Sequence, residues 1–162
     1  MKRLYCIALI IVFLICFTSI TIGQDESVLS HKNERTKYTL IIDDQASLLT
    51  DEEKTLLLND MMPLTQYGNI VFLSTTYAEK SQHKIAHDYY YGMFGTDSGT
   101  VLLIDMRERI VYIYSDGDNL KSITNSKSEI ITDNIYTFLG NGQYYIGAKE
   151  AFEEINTLLQ RW

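Results

Sequence analysis

The chain has 162 residues, 46% of them hydrophobic and 22% charged, with 14 Lys+Arg against 21 Asp+Glu and a formal net charge of −7. That length suits one domain, and a single proline with nine glycines leaves no low-complexity linker. The acidic balance argues against nucleic acid as a partner, because phosphates require a basic footprint.

Residues 1–23 read as an export leader. Lys2 and Arg3 form a charged start, Leu4 to Ile22 is almost wholly apolar, and Thr21-Ile22-Gly23 places small residues three and one positions before Gln24. Both cysteines, Cys6 and Cys16, lie here. Without the leader, the chain has no thiol for disulfides, zinc–thiolate sites or nucleophilic catalysis. Ile15 before Cys16 is too bulky for a lipoprotein junction. The expected location is extracytoplasmic, in a periplasm or secreted. Roughly 17–25 apolar residues also span a bilayer, so the alternative is an uncleaved N-terminal anchor, the chain's one route to a membrane. Residues 24–37 are polar and mixed in charge and read as a flexible tether, leaving 38–162 as the domain.

Residues 38–42 read as a short strand ending at a turn, Asp43-Asp44. Thr50 and Glu53 have capping-box spacing, and Asp51, Glu52 and Glu53 suit the positive end of a helix. Pro63 lies inside the helical pattern that follows and should split it near Met61. Residues 69–75 read as a second strand and 81–94 as a second helix. The apolar run 101–104 suits a central strand covered on both faces. Residues 110–114 return as its antiparallel partner, followed by a loop at 116–119. Two helices, near 126–139 and 143–162, finish the chain. The order β-α-β-α-β-β-α-α implies an α/β fold, a three-layer α/β/α sandwich with a mixed sheet of about four strands.

Few constellations carry chemistry. There is no Gly-rich phosphate loop and no nucleophile elbow. His83 and His87 stand four apart on one helical face, an admissible metal pair. Lys84 occupies the place a metalloprotease gives to Glu, and two surface histidines are the simpler reading. Asp116-x-Asp118 after a strand matches the paired carboxylates of haloacid-dehalogenase phosphatases, but Leu120 replaces their Thr. If the hairpin closes at Asp105 and Ile110, Thr100 faces Ser115. The loops carrying Asp97, Asp116, Asp118 and Asn119 then leave the sheet together, offering hard oxygen donors suited to Ca²⁺ or Mg²⁺. Turn chemistry explains the same residues. Asp44 joins them only if its strand runs antiparallel to 101–104.

Residues 38–159 resemble the TPM-domain family, named for a thylakoid-lumen protein, a photosystem II repair factor and a nematode receptor modulator. The resemblance rests on Ile42-x-Asp44-x-Ala46-x-x-Leu49-Thr50, on Ala86 through Gly95 with Asp97-x-Gly99-x-x-Leu102-Leu103, on residues 116–120, and on Gly142-x-Tyr144 with Ala148. It implies an extracytoplasmic α/β/α domain whose relatives include acid phosphatases and calcium binders, and it matches Asp44, Asp97 and Asp116 to family site positions. The loop after Phe94 lacks the family's basic residues, which weakens phosphatase activity, since a phosphate needs positive charge or donors. The expected function is an exported, non-catalytic module with an unidentified protein partner and a Ca²⁺ (or Mg²⁺) site; the alternative is a metal-assisted acid phosphatase acting on phosphomonoesters.

Overall fold

A computed structural model describes residues 28–77 and 79–161. The leader and its cysteines lie outside the described residues. Val28–Lys32 (β1) and Thr39–Asp44 (β2) form an antiparallel edge pair. The stretch expected to be a tether therefore contributes a strand over part of its length. Val-Leu-Ser-His-Lys lacks an apolar alternation and its residues are mostly exposed, so backbone pairing rather than burial holds it. A turn locks the connection: Asn33 Oδ1 accepts from the Arg35 and Thr36 amides, and Asn33 Nδ2 donates to Thr65 Oγ1 at 2.8 Å.

Helix α1, Asp51–Met61, begins with the expected capping box. Thr50 Oγ1 accepts from the Glu53 amide at 3.2 Å, and Glu53 returns the bond to the Thr50 amide at 2.9 Å. Thr50→Ala is expected to cost about 1 kcal/mol, a fall of roughly 2–4 °C in melting temperature, read by thermal denaturation. Pro63 ends the α-helix as anticipated, within a 3-10 turn over Met62–Gln66. Then come Asn69–Thr75 (β3), Gln82–Phe94 (α2, capped by Ser81), Gly99–Asp105 (β4) and Ile110–Asp116 (β5). The expected loop after β5 is instead a short helix, Gly117–Ser122 (α3), because Asp116 caps it by accepting from the Gly117 amide at 2.7 Å. Asn125–Gly140 (α4) and Tyr144–Leu159 (α5) complete the chain.

The sheet has five strands in the order β1-β2-β3-β4-β5, one more than expected. β2, β3 and β4 are parallel; β1 and β5 are antiparallel edges. β3 and β4 are buried along their whole length, as strands covered on both faces should be. One face packs Ile42, Phe72, Leu102 and Ile113 against α1, α4 and α5; the other packs Val71, Leu73, Val101 and Leu103 against Ala86 and Tyr90 of α2. The three-layer sandwich follows. The parallel steps β2 to β3 and β3 to β4 go the same way across the sheet, yet α1 and α2 lie on opposite faces. The two crossovers are therefore of opposite hand, and one departs from the strong right-handed preference. Among the described residues, no helix is long and apolar enough to cross a membrane.

Candidate functional site

The hairpin register pairs Gly99 with Asp116 and Thr100 with Ser115, as the sequence anticipates. The loop before β4 and the turn after β5 leave the sheet at one end, carrying Asp97, Asp116, Asp118 and Asn119. Their side chains have separate tasks. Asp116 Oδ1 caps α3, and its Oδ2 accepts from the Tyr114 hydroxyl at 3.1 Å. Asp118 pairs with Lys121 Nζ at 2.6 Å. Asn119 is buried, and its amide donates to Thr100 Oγ1 at 3.1 Å, which meets Ser115 Oγ at 3.1 Å. Tyr90 anchors the Asp97 carbonyl with a 2.8 Å hydrogen bond from its hydroxyl. Backbone crowding fixes this end too: Gly117 has φ +59°, and a Cβ there would come within 2.6 Å of Ser98 Oγ.

Asp44 lies at the opposite end. Its strand is parallel to β3 and β4, and it stands in register with Ser74 and Ile104, five residues along β4 from Gly99. At ~3.3 Å per residue that is about 17 Å, so Asp44 is not a member of the Asp97–Asp116 group. It is a buried structural carboxylate, accepting from the Leu48 amide at 3.0 Å, the Leu49 amide at 2.9 Å and the Ser74 hydroxyl. Among the described residues, no group of three or more His, Cys, Asp or Glu side chains is placed to hold one metal ion.

Sequence reasoning misses one further grouping and finds only the histidine pair of another. At the carboxyl ends of the parallel strands, where open α/β sheets place their ligands, Asp43 and Asp105 join Asp44. Asp105 accepts from the Arg107 and Glu108 amides and from Gln82. Asp43 Oδ2 accepts from Tyr89 at 2.9 Å and Gln45 at 3.0 Å, while its buried Oδ1 has no hydrogen-bond partner among the described residues. Consecutive aspartates look like a turn, which hides this arrangement in the sequence. The second grouping is aromatic. His83 and His87 of α2 stack at 6.1 Å between ring centroids, His87 stacks on Tyr91, and Tyr114 of β5 meets both histidines edge-on at 5.7 and 5.8 Å. Alternation along β5 puts Tyr112, Tyr114 and Asp116 on this face.

Burial, then the hydrogen bond and charge of Asp116, push the Tyr114 hydroxyl up to about 12. Burial likewise raises Tyr89, helped by the Asp43 charge, and Tyr90. The phenolate is the disfavoured form in the folded state, so this contribution is intact below the unfolded value of 10.0 and is lost as pH climbs through about 12. Tyr114→Phe should reduce the loss of stability between pH 10 and 12, read by denaturant unfolding at a series of pH values.

The sequence and the fold both have counterparts. The TPM-domain family profile matches residues 42–158. No curated protein matches the chain. The solution structure of the BA42 protein from the psychrophilic bacterium Bizionia argentinensis is similar, with 18% identity and a TM-score of 0.56, covering 70% of this chain and 82% of that one. The N-terminal domain of a protein from P. gingivalis is similar at 13% identity and a TM-score of 0.61, covering 72% of this chain and 79% of that one. At such identities the two structures speak for the fold alone, whereas the profile spans most of the chain: the protein belongs to the TPM-domain family.

Proposed function

We propose that this TPM domain is exported and works as a non-catalytic interaction module. The observation that carries the reading is how its carboxylates are used. Asp44 and Asp105 hold backbone amides at one end of the sheet, and Asp116 caps α3 at the other. Carboxylates hydrogen-bonded into the backbone in this way favour a structural role over that of a nucleophile or general base, which must be aimed at a reacting atom. Export rests on the leader-type sequence; the mature protein is expected to begin at Gln24, checked by its intact mass.

The test is the full chain with a generic phosphomonoester, with and without divalent cations, beside Asp116→Ala. The expected result is no turnover that depends on Asp116. Cation-dependent turnover lost in that variant overturns the proposal in favour of a metal-assisted phosphatase.

A second reading, weak Ca²⁺ binding, is supported by the hairpin register, which brings the loops carrying Asp97, Asp116 and Asp118 to one end of the sheet. As arranged they are not a cage: Ca²⁺ takes about 6–8 oxygens, while Asp118 is paired with Lys121 and the Asn119 amide faces inward. Such a site would be open and rich in water. Titration with CaCl₂ to ~10 mM, the range of weak extracellular sites, should then give a saturable rise in melting temperature that Asp97→Asn with Asp116→Asn abolishes. An equal rise with NaCl at matched ionic strength is charge screening and removes this reading.

A further inference from the structure

We infer that His83 and His87 form a two-imidazole site for a borderline divalent metal, Cu²⁺, Ni²⁺ or Zn²⁺. Spacing of four on a helix is by itself a weak sign; the surroundings of the two rings strengthen it. Each ring has its Nδ1 engaged. His87 Nδ1 lies 3.3 Å from Asp88 Oδ1, and His83 Nδ1 lies 3.1 Å from the Tyr112 hydroxyl. Asp88 Oδ2 is itself paired with Lys80 Nζ at 2.8 Å and Lys84 Nζ at 3.1 Å. A carboxylate between two lysines only accepts, so a neutral His87 donates to it from Nδ1 and keeps its lone pair on Nε2. When His83 donates from Nδ1 to the Tyr112 oxygen, its Nε2 is bare as well.

A histidine anchored through one nitrogen and bare at the other has the arrangement of a metal ligand with its supporting partner already in place. The rings stack at 6.1 Å with planes 29° apart. One ion held about 2.0–2.1 Å from each nitrogen would draw the two rings toward one another. Tyr114 restricts both rings by meeting them edge-on. The rings open on a cleft of about 380 Å³ that Asp116 also lines. Imidazole suits Cu²⁺, Ni²⁺ and Zn²⁺ and not Ca²⁺ or Mg²⁺. Two protein ligands leave the remaining positions to water.

The experiment is calorimetric titration of the full chain, freed of metal by chelation, with Cu²⁺, Zn²⁺ and Ca²⁺ separately at pH 7.5. It is repeated with His83→Gln, His87→Gln, Tyr112→Phe and His31→Gln, all checked for an unchanged melting temperature in chelator. Binding of Cu²⁺ tighter than Zn²⁺ is expected, with at least a tenfold loss in either His83→Gln or His87→Gln and no change in His31→Gln. Tyr112→Phe, which removes only an anchor, should weaken binding by ~10-fold or more without removing it. The Cu²⁺ electron paramagnetic resonance spectrum should carry the nitrogen coupling of two imidazoles. An isotherm that survives both histidine changes, or a spectrum with oxygen ligands alone, overturns the proposal.

Discussion

Asp44→Ala is expected to destabilise the protein by about 3–4 kcal/mol, because each buried donor left without an acceptor costs roughly 1–3 kcal/mol. The carboxylate accepts from the Leu48 and Leu49 amides and from the Ser74 hydroxyl and is 1% exposed. Alanine leaves these donors facing a void where the chain turns from β2 into α1. The melting temperature should fall by roughly 10 °C, at 2–4 °C per kcal/mol. Asp44→Asn should recover only part of this, since one side-chain oxygen becomes an amide NH₂ aimed at a backbone N–H. Both losses should be the same in chelator and in excess Ca²⁺, because Asp44 acts on the fold. A loss in Ca²⁺ that vanishes in chelator would return Asp44 to the metal ligands.

Gly99→Ala should have an effect of comparable size. A Cβ at Gly99 collides with the Asn69 carbonyl oxygen and the Tyr90 hydroxyl, and comes within 2.9 Å of Tyr90 Cε2. The Asn69 oxygen belongs to the backbone of the neighbouring central strand and cannot swing aside. Overpacking of this kind costs about 1–3 kcal/mol, and with backbone on one side the upper end is expected. Tyr90→Phe alone loses the bond to the Asp97 carbonyl, about 1 kcal/mol. Combined, the two changes should cost less than their sum by ~1 kcal/mol, because phenylalanine relieves one of the contacts. Denaturant unfolding of the four proteins checks this; strict additivity would mean that the glycine's close approach to Tyr90 is not felt.

Much of this architecture was legible because it rests on local chemistry. Thr50 and Glu53 form their reciprocal cap within four residues, Pro63 stops a helix wherever it occurs, and the apolar run at residues 101–104 has only one comfortable place, the middle of a covered sheet. β1 was not legible, since its residues are exposed and its stability lies in backbone bonds to β2. The short helix α3 was hidden because an Asp-Gly sequence signals a turn equally well, and Asp116 turns out to cap a helix. The candidate site divides in the same way. Hairpin register follows from turn length, so Asp97 and Asp116 could be brought together on paper. The direction of β2 depends on its crossover to β3, a non-local matter, and that direction sends Asp44 to the far end. The stacking of His83 and His87 with Tyr114 needs the distance between α2 and β5, which no pattern within one segment contains.

Spatial order across the sheet repeats chain order, strand after strand. No strand has to be inserted between two that are already paired, and each loop that must close joins neighbours, which keeps the entropic cost of closure low. A chain emerging N-terminus first can extend its sheet one strand at a time, with the newest edge serving as template for the next. The vulnerable moment comes after β3 has paired with β2 and before β4 arrives. Asn69–Thr75, buried along its full length in the finished protein, then presents an open and apolar edge of the kind that recruits other chains. An arrest or truncation between Thr75 and Gly99 would leave that template uncovered, so aggregation during synthesis should concentrate there rather than at either mature edge.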